Sequence, residues 1–121
     1  MGFDFDNNLP IYIQLVEQIK IHIISGTIEP GKRLPSVREW ALQSKVNPNT
    51  MQKALTELEE MGLVYTERTN GKFVTDNQEL IDKYKKQYAN ELANKFFLCM
   101  KEIGYDEKDT ITYLAELGGN K

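Results

Sequence analysis

The fold of this chain is decided by the stretch from Leu34 to Thr56, LPSVREWALQSKVNPNTMQKALT. Two helix start signals lie within it, eleven positions apart. Ser36 and Glu39 have the spacing of a capping box. Asn47 followed by Pro48 places a favoured N-cap directly before a proline at the first helical position. The stretch therefore predicts two short helices joined by a tight turn.

The second of these helices has an apolar face and a polar face. The apolar residues recur at helical spacing and predict a side that packs into a core; they are Met51, Ala54, Leu55, Leu58 and Met61. The polar face carries amides, hydroxyls and one cation near the helix N-terminus, as a recognition helix does where it reads base edges in the DNA major groove. The alternative is a solvated face on an ordinary helical hairpin. The outward candidates are Asn49, Thr50, Gln52, Lys53 and Thr56.

The sequence before this pair predicts one further helix, over residues 9–26. Apolar residues fall every four positions there, and Gly26 is a typical helix end. The only histidine, His22, has no Cys, Asp or Glu at ligand spacing, so neither a metal nor a catalytic role is expected for it. The stripe consists of Ile11, Leu15, Ile19 and Ile23.

A β-hairpin is predicted after Gly62. Residues 63–68 and 72–75 read as two strands, and Asn70-Gly71 indicates a two-residue type I′ turn with positive φ at both positions. Three helices followed by a hairpin with a polar, partly basic tip describe a winged helix-turn-helix. The wing of such a domain lies along a phosphate backbone or enters the minor groove.

Composition limits the classes of protein to consider. A chain of 121 residues holds one ordinary domain, or one small domain with an appendage. The net charge of −3 argues against nucleic-acid binding at first sight, but residues 30–75 carry seven basic and five acidic side chains, a local balance of +2. No signal peptide or membrane-spanning run is expected, and the single cysteine, Cys99, suits the cytoplasm and is expected in a core.

The C-terminal part predicts two helices. Apolar residues recur every three or four positions from about Gln78, giving a helix of roughly 26 residues and ~39 Å, and Asp106 can cap a last helix. Because this helix presents more apolar surface than the preceding domain can cover, a homodimer is expected. We predict a mostly α (α+β) fold with a DNA-binding domain at 1–75 and a dimerisation tail at 76–121. Dimerisation candidates are Tyr84, Tyr88, Leu92, Phe96 and Met100.

Residues 9–75 resemble the DNA-binding domain of the GntR superfamily of bacterial transcription regulators, and the two-helix tail is similar to that of the YtrA subfamily. The most specific pieces are PGKRLPSVRE, VNPNTMQKAL and NGKFV. The resemblance implies a homodimer that binds an inverted repeat in double-stranded DNA, usually as a repressor.

The resemblance also implies roles for individual residues. Arg38 matches a DNA-contacting arginine, and Arg33 and Ser36 match phosphate-contacting positions. Gly71 matches the wing-tip glycine that approaches the minor groove, with Lys72 beside it. Positions that match recognition-helix contacts are Asn47, Asn49, Thr50 and Lys53, with Gln52 a further candidate.

The chain departs from the family pattern at three positions. Lys45 stands where the turn between the two helices usually has glycine, so either Lys45 accepts that backbone or the turn differs. Ser44 replaces a usual leucine, so a smaller side chain is expected in the core there. Thr69 replaces the first glycine of the wing motif, which leaves the shape of the tip open.

Two other classes of function make different predictions. A winged helix used for protein–protein contact would show no salt-dependent DNA affinity, whereas a DNA binder weakens as salt rises. An enzyme is not expected, because no phosphate-binding loop, catalytic set or metal-ligand spacing is present, and no cofactor is predicted. A small-molecule effector would have to bind at the dimer interface or between tail and wing.

Overall fold

The computed structural model describes residues 2–6 and 8–119, and the described part contains five helices and one antiparallel hairpin. Three helices precede the hairpin and two follow it, which confirms the predicted fold class. The elements are α1 (Ile11–Ile24), α2 (Val37–Ser44), α3 (Pro48–Glu60), β1 (Val64–Glu67), β2 (Gly71–Val74), α4 (Gln78–Glu102) and α5 (Glu107–Gly119).

The chain divides into two compact units, Met1–Tyr84 and Lys85–Lys121. The beginning of α4 belongs with the first unit, because Ile81 is buried there and the Tyr84 hydroxyl donates a hydrogen bond of 3.1 Å to the Met61 carbonyl. None of the described helices is long and apolar enough to cross a membrane.

The core of the first unit lies where α1, α2 and α3 meet. The predicted apolar stripe of α1 and the predicted apolar face of α3 both contribute to this core, although Ile11, in the first turn of α1, stays 45% exposed. Trp40 on α2 is also fully buried. The side chains of α1 and α3 with no exposed surface are Leu15, Ile19, Ile23, Met51, Ala54, Leu55 and Leu58.

The turn between α2 and α3 is built on a left-handed residue. Lys45 has φ 56° and ψ 44°, and it is the only non-glycine residue with positive φ in the described part of the chain. Its N–H donates to the Leu42 carbonyl (3.3 Å), and the Val46 N–H donates to the Ala41 carbonyl (3.0 Å). These two bonds make a Schellman motif, in which glycine is the usual left-handed residue. Lys45 therefore takes the left-handed conformation that glycine usually takes at such a turn.

The hairpin differs from the predicted two-residue turn. Glu67 pairs with Gly71, so three residues form the loop, and the Asn70 N–H donates to the Glu67 carbonyl (3.3 Å). Gly71 has φ 97°, but Asn70 does not have positive φ, so the type I′ prediction is wrong. A turn followed by one glycine with positive φ closes the hairpin, so only one residue needs an unusual backbone conformation.

A short third segment lies on the other side of β2. The Val74 N–H donates to the Lys32 carbonyl (2.9 Å), and the Leu34 N–H donates to the Lys72 carbonyl (2.8 Å). Arg33 faces Phe73 in an isolated bridge between these two bonds. The chain entering α2 is therefore attached to the wing, which the sequence pattern did not indicate.

The described residues near the N-terminus lie along α1 and were not foreseen either. The Gln14 carboxamide accepts from the Asp6 N–H and donates to the Asp6 carbonyl, both at 2.6 Å. Phe3 packs edge-on against His22, with ring centroids 5.3 Å apart, and lies 6.0 Å from Trp40. His22 is thus part of the packing beside α1.

In the second unit, Asp106 caps α5, because its carboxylate accepts a hydrogen bond from the Asp109 N–H (2.7 Å), as predicted.

The second unit also leaves much apolar surface uncovered. Leu92 and Phe96 on α4 are 54% and 41% exposed. Cys99 is exposed, so its predicted core position is wrong: the described chain places no apolar layer over this part of α4.

Replacing Lys45 by glycine is expected to raise the free energy of unfolding by roughly 0.5–1 kcal/mol. The left-handed region costs a residue with a Cβ roughly 1–2 kcal/mol, and the greater chain entropy of unfolded glycine offsets part of that gain. Urea unfolding of Lys45→Gly against the parent measures the difference. Lys45→Ala is the matched control, because it removes the charge but keeps the Cβ. Equal stabilisation by both substitutions would show that the backbone conformation is not the cause.

Candidate nucleic-acid interface

The start of α2 presents an exposed arginine. The Ser36 hydroxyl accepts a hydrogen bond from the Glu39 N–H (3.1 Å), so Ser36 is the predicted N-cap. Its own O–H proton is still available to donate. Arg38 lies in the first turn with its side chain exposed, and it makes no hydrogen bond or ion pair with residues 2–6 or 8–119. The guanidinium therefore has five donors available for an anionic or acceptor-rich partner.

The start of α3 presents exposed amide side chains. The Asn47 side-chain oxygen accepts from the Asn49 N–H (2.8 Å) and caps the helix, which leaves its amide protons available. Asn49 and Gln52 are exposed, and Thr50 is half-buried. The Gln52 amide donates to the Thr56 hydroxyl (3.2 Å), so it is oriented along the helix surface. This face carries the donors and acceptors that base-edge recognition requires.

Lys53 does not extend freely from this face. Its ammonium lies 4.4 Å from the centre of the Tyr12 ring on α1, at a distance typical of a cation–π contact. The Tyr12 hydroxyl in turn donates to the Glu57 carboxylate. That hydrogen bond, partial burial and the negative charges of Glu57 and Glu60 raise the pKa of the Tyr12 hydroxyl. Lys53, predicted as a base contact, is therefore held toward α1.

Four predicted DNA-binding residues meet at one cleft of about 270 Å³ between the start of α2 and the wing. Gly71 lies against the Arg33 guanidinium: a Cβ at Gly71 would sit 3.5 Å from Arg33 Nε and 3.6 Å from Nη2. A Cβ would be in ordinary van der Waals contact at these distances, so the positive φ of 97° is what favours glycine here. The cleft is lined by Arg33, Leu34, Pro35, Ser36, Glu39, Gly71 and Lys72.

Lys72 is the one member of this group with a carboxylate partner. Its ammonium lies 2.6 Å from Glu59 Oε1 on α3 and donates to the Thr66 hydroxyl (2.9 Å). Burial by itself would raise the pKa of the Glu59 carboxyl, but the hydrogen bonds from Lys72 and Thr66 and the Lys72 charge together hold that pKa below its usual value. Glu59 is ionised at neutral pH and compensates the Lys72 charge.

Sequence reasoning missed Tyr12, Glu57 and Glu59 as partners of predicted site residues. The sequence contained a signal for the partner of Lys72. Lys72 and Val74 are two residues apart on one strand, so their side chains share a face, and the Val74 side chain faces the core. A cation on the inner face of a wing needs a carboxylate nearby. No such signal exists for Tyr12, since its contact with α3 depends on how two helices pack.

The dimerisation candidates occupy different surroundings. Tyr84 packs within the first unit, as described above, and Tyr88 and Met100 are half-buried. Leu92 and Phe96 are exposed, and Phe96 contacts the neighbouring Phe97 with ring centroids 6.4 Å apart. Among the described residues, no group of three His, Cys, Asp or Glu side chains is placed to hold a metal ion.

Comparison with known proteins identifies the family. The profile described as "Bacterial regulatory proteins, gntR family" matches residues 11–74. The transcriptional regulator YhcF of Bacillus subtilis is 38% identical over 111 residues, covering 92% of each chain. The transcriptional repressor YtrA of the same organism is 35% identical over 117 residues, covering 84% of this chain and 90% of that one.

Solved structures agree with the fold. A GntR family transcriptional regulator from Listeria monocytogenes superimposes with a TM-score of 0.85 at 38% identity, covering 93% of this chain and 98% of that one. The DNA-binding domain of AraR, in complex with operator ORX1, has a TM-score of 0.55 at 30% identity and covers 62% of this chain and 95% of that domain.

The expectation that the chain is not an enzyme agrees with these relatives, which are named as regulators. The matched residues contain α1, α2, α3 and both wing strands, so the match covers every element of the candidate interface. The chain belongs to the gntR family of bacterial regulatory proteins.

Proposed function

We propose that this chain is a sequence-specific DNA-binding transcription regulator that represses its target genes from an operator. The observation that carries the proposal is the surface formed by the unpaired Arg38 and the exposed amides at the start of α3. Both helix starts lie in the stretch that matches a family of bacterial regulatory proteins. The AraR domain, solved with its operator, has the same fold at 30% identity.

Base reading is assigned to the helix-turn-helix. Arg38 hydrogen-bonds a guanine edge, and the amide side chains pair with adenine edges. A good bidentate pair contributes roughly 1–3 kcal/mol of discrimination against the wrong base. Lys53 joins this surface by leaving the Tyr12 ring, a contact worth about 0.5–1 kcal/mol when exposed. The other base-reading residues are Asn47, Asn49, Thr50 and Gln52.

Phosphate contacts are assigned to the cleft beside the wing. Arg33 and Ser36 both line this cleft, and Gly71 lets the wing backbone approach the minor groove. Such contacts set the register of a protein on the duplex without reading sequence. The acidic overall charge is compatible with this role, because residues 30–75 carry seven basic and five acidic side chains.

The functional division follows the sequence: residues 1–75 bind DNA and residues 76–121 form a homodimer. The exposed apolar side chains of the second unit support this, because Leu92, Phe96 and Ile103 together present a surface that water disfavours. A two-fold dimer would bind an inverted repeat, since operator symmetry mirrors protein symmetry. Similarity to YtrA over 84% of this chain and 90% of that one supports a place in the YtrA-like subfamily. This regulator would act in the bacterial cytoplasm.

The proposal is tested by selecting bound sequences from a pool of random DNA duplexes with purified protein, at moderate and at raised salt. We expect one enriched motif with two-fold symmetry and binding that weakens as salt rises. Recovery of no motif, together with affinity that does not depend on salt, would contradict DNA binding and favour a protein-interaction module.

Arg38→Ala is expected to abolish specific binding to the selected operator, while the fold stays intact because Arg38 has no partner among the described residues. Removing one bidentate guanine pair corresponds to about 1–3 kcal/mol in each half-site. Fluorescence anisotropy with the operator and circular dichroism measure affinity and fold. Lys83→Ala, at an exposed position on α4, is the control and should bind as the parent does. Unchanged affinity of the Arg38 variant would remove Arg38 from the base-reading set.

Phe96→Glu is expected to raise the dimer dissociation constant by roughly 10²- to 10⁴-fold. Burial of a phenylalanine contributes roughly 1.5–3 kcal/mol, and two-fold symmetry applies the change twice. Sedimentation equilibrium measures the constant. Asn94→Glu adds the same charge at an exposed position on the opposite side of α4 and should leave the dimer unchanged. An undisturbed dimer in the Phe96 variant would place the interface elsewhere.

A further inference from the structure

The position of Lys72 follows from the pleat of the hairpin. Lys72 is the Cα partner of Thr66, and Val64 is the partner of Val74. Since residues two apart share a face, Lys72 and Thr66 lie on the same side as Val64 and Val74, which are 2% and 0% exposed. Lys72 therefore extends the inner face of the wing, toward α3.

A closed polar triangle occupies that inner face. The Lys72 ammonium lies 2.6 Å from Glu59 Oε1 and 2.9 Å from Thr66 Oγ1, and the Thr66 hydroxyl donates to the same Glu59 oxygen at 2.5 Å. The side chains of Lys72 and Glu59 are only 15% and 30% exposed. Moving Lys72 to a phosphate would leave Glu59 without its cation and close to a second negative charge.

We propose that Lys72 is a positioning residue that clamps the outer half of the wing to α3 through Glu59, and that it does not bind phosphate itself. The inference rests on the proposed DNA-binding function, and it changes the role of Lys72, which was predicted to bind DNA beside the wing-tip Gly71. Glu59 is then a member of the DNA-binding apparatus although it carries the charge that DNA repels.

The contact between Lys72 and Glu59 holds the outer half of the wing against α3. The base of the hairpin is held by the buried pair Val64 and Val74, but beyond it β1 is exposed along its length. Glu59, in the last turn of α3, ties this outer part to the helix. Because wing and α3 would meet the same duplex, fixing one against the other before binding removes an ordering cost from association.

Salt dependence separates a clamp from a phosphate contact. The slope of log K against log salt becomes shallower by about 0.9 for each phosphate that the protein no longer neutralises. We expect Lys72→Met to weaken operator binding about fivefold, the effect of removing a modest ion pair, with the slope unchanged. The comparison variant, Arg33→Met, is expected to make the slope shallower by about 0.9 in each half-site. A comparable change of slope in the Lys72 variant would overturn the proposal.

The clamp is also measurable without DNA. Amide hydrogen exchange of residues 66–72 should become faster in both Lys72→Met and Glu59→Gln, while exchange at Val74, whose N–H donates to the Lys32 carbonyl, stays slow. Unchanged exchange of the outer wing in both variants would overturn the clamp. This readout is independent of the proposed function: a parent protein with no salt-sensitive DNA binding would overturn DNA recognition, and the exchange rates would still decide the clamp.

Discussion

Burial of one face of α3 is the constraint on which the rest of this structure depends. Met51, Leu55 and Leu58 are fully buried against α1 and α2, so the helix cannot rotate about its axis without exposing them. The orientation that satisfies the core is the orientation that turns Asn49 and Gln52 outward. The same apolar stripe therefore stabilises the domain and aims the surface assigned to base reading.

The distance between the two helix starts is set by backbone chemistry. Ser36 and Asn47 cap α2 and α3 with their side chains, and Lys45 closes the turn between them in a left-handed conformation. A lysine there costs free energy that glycine would not. The chain tolerates this conformational cost because two other constraints hold the turn in place: the two hydrogen bonds of the Schellman motif and the burial of the helices on both sides.

Charge in this acidic chain is arranged by pairing. Two cations at the candidate interface already have partners within the protein: Lys72 meets Glu59, and Lys53 lies on the Tyr12 ring. Arg33 and Arg38 have no ion-pair partner within residues 2–6 and 8–119. Net charge and a count of basic residues do not distinguish these two kinds of cation, although only the second kind meets an anion without first breaking an internal contact.

The sequence by itself determined the order of the helices, both caps, the wing and the polar face of α3, because these depend on local periodicity and on turn chemistry. It also determined the family, through motifs short enough to read directly. Only the tertiary structure decided that Asn70 avoids positive φ, that residues 32–34 join the wing, and that Lys72 and Lys53 have internal partners. Most of those outcomes depend on residues far apart along the chain, such as Lys53 and Tyr12, and no local pattern encodes which side chains packing will bring together.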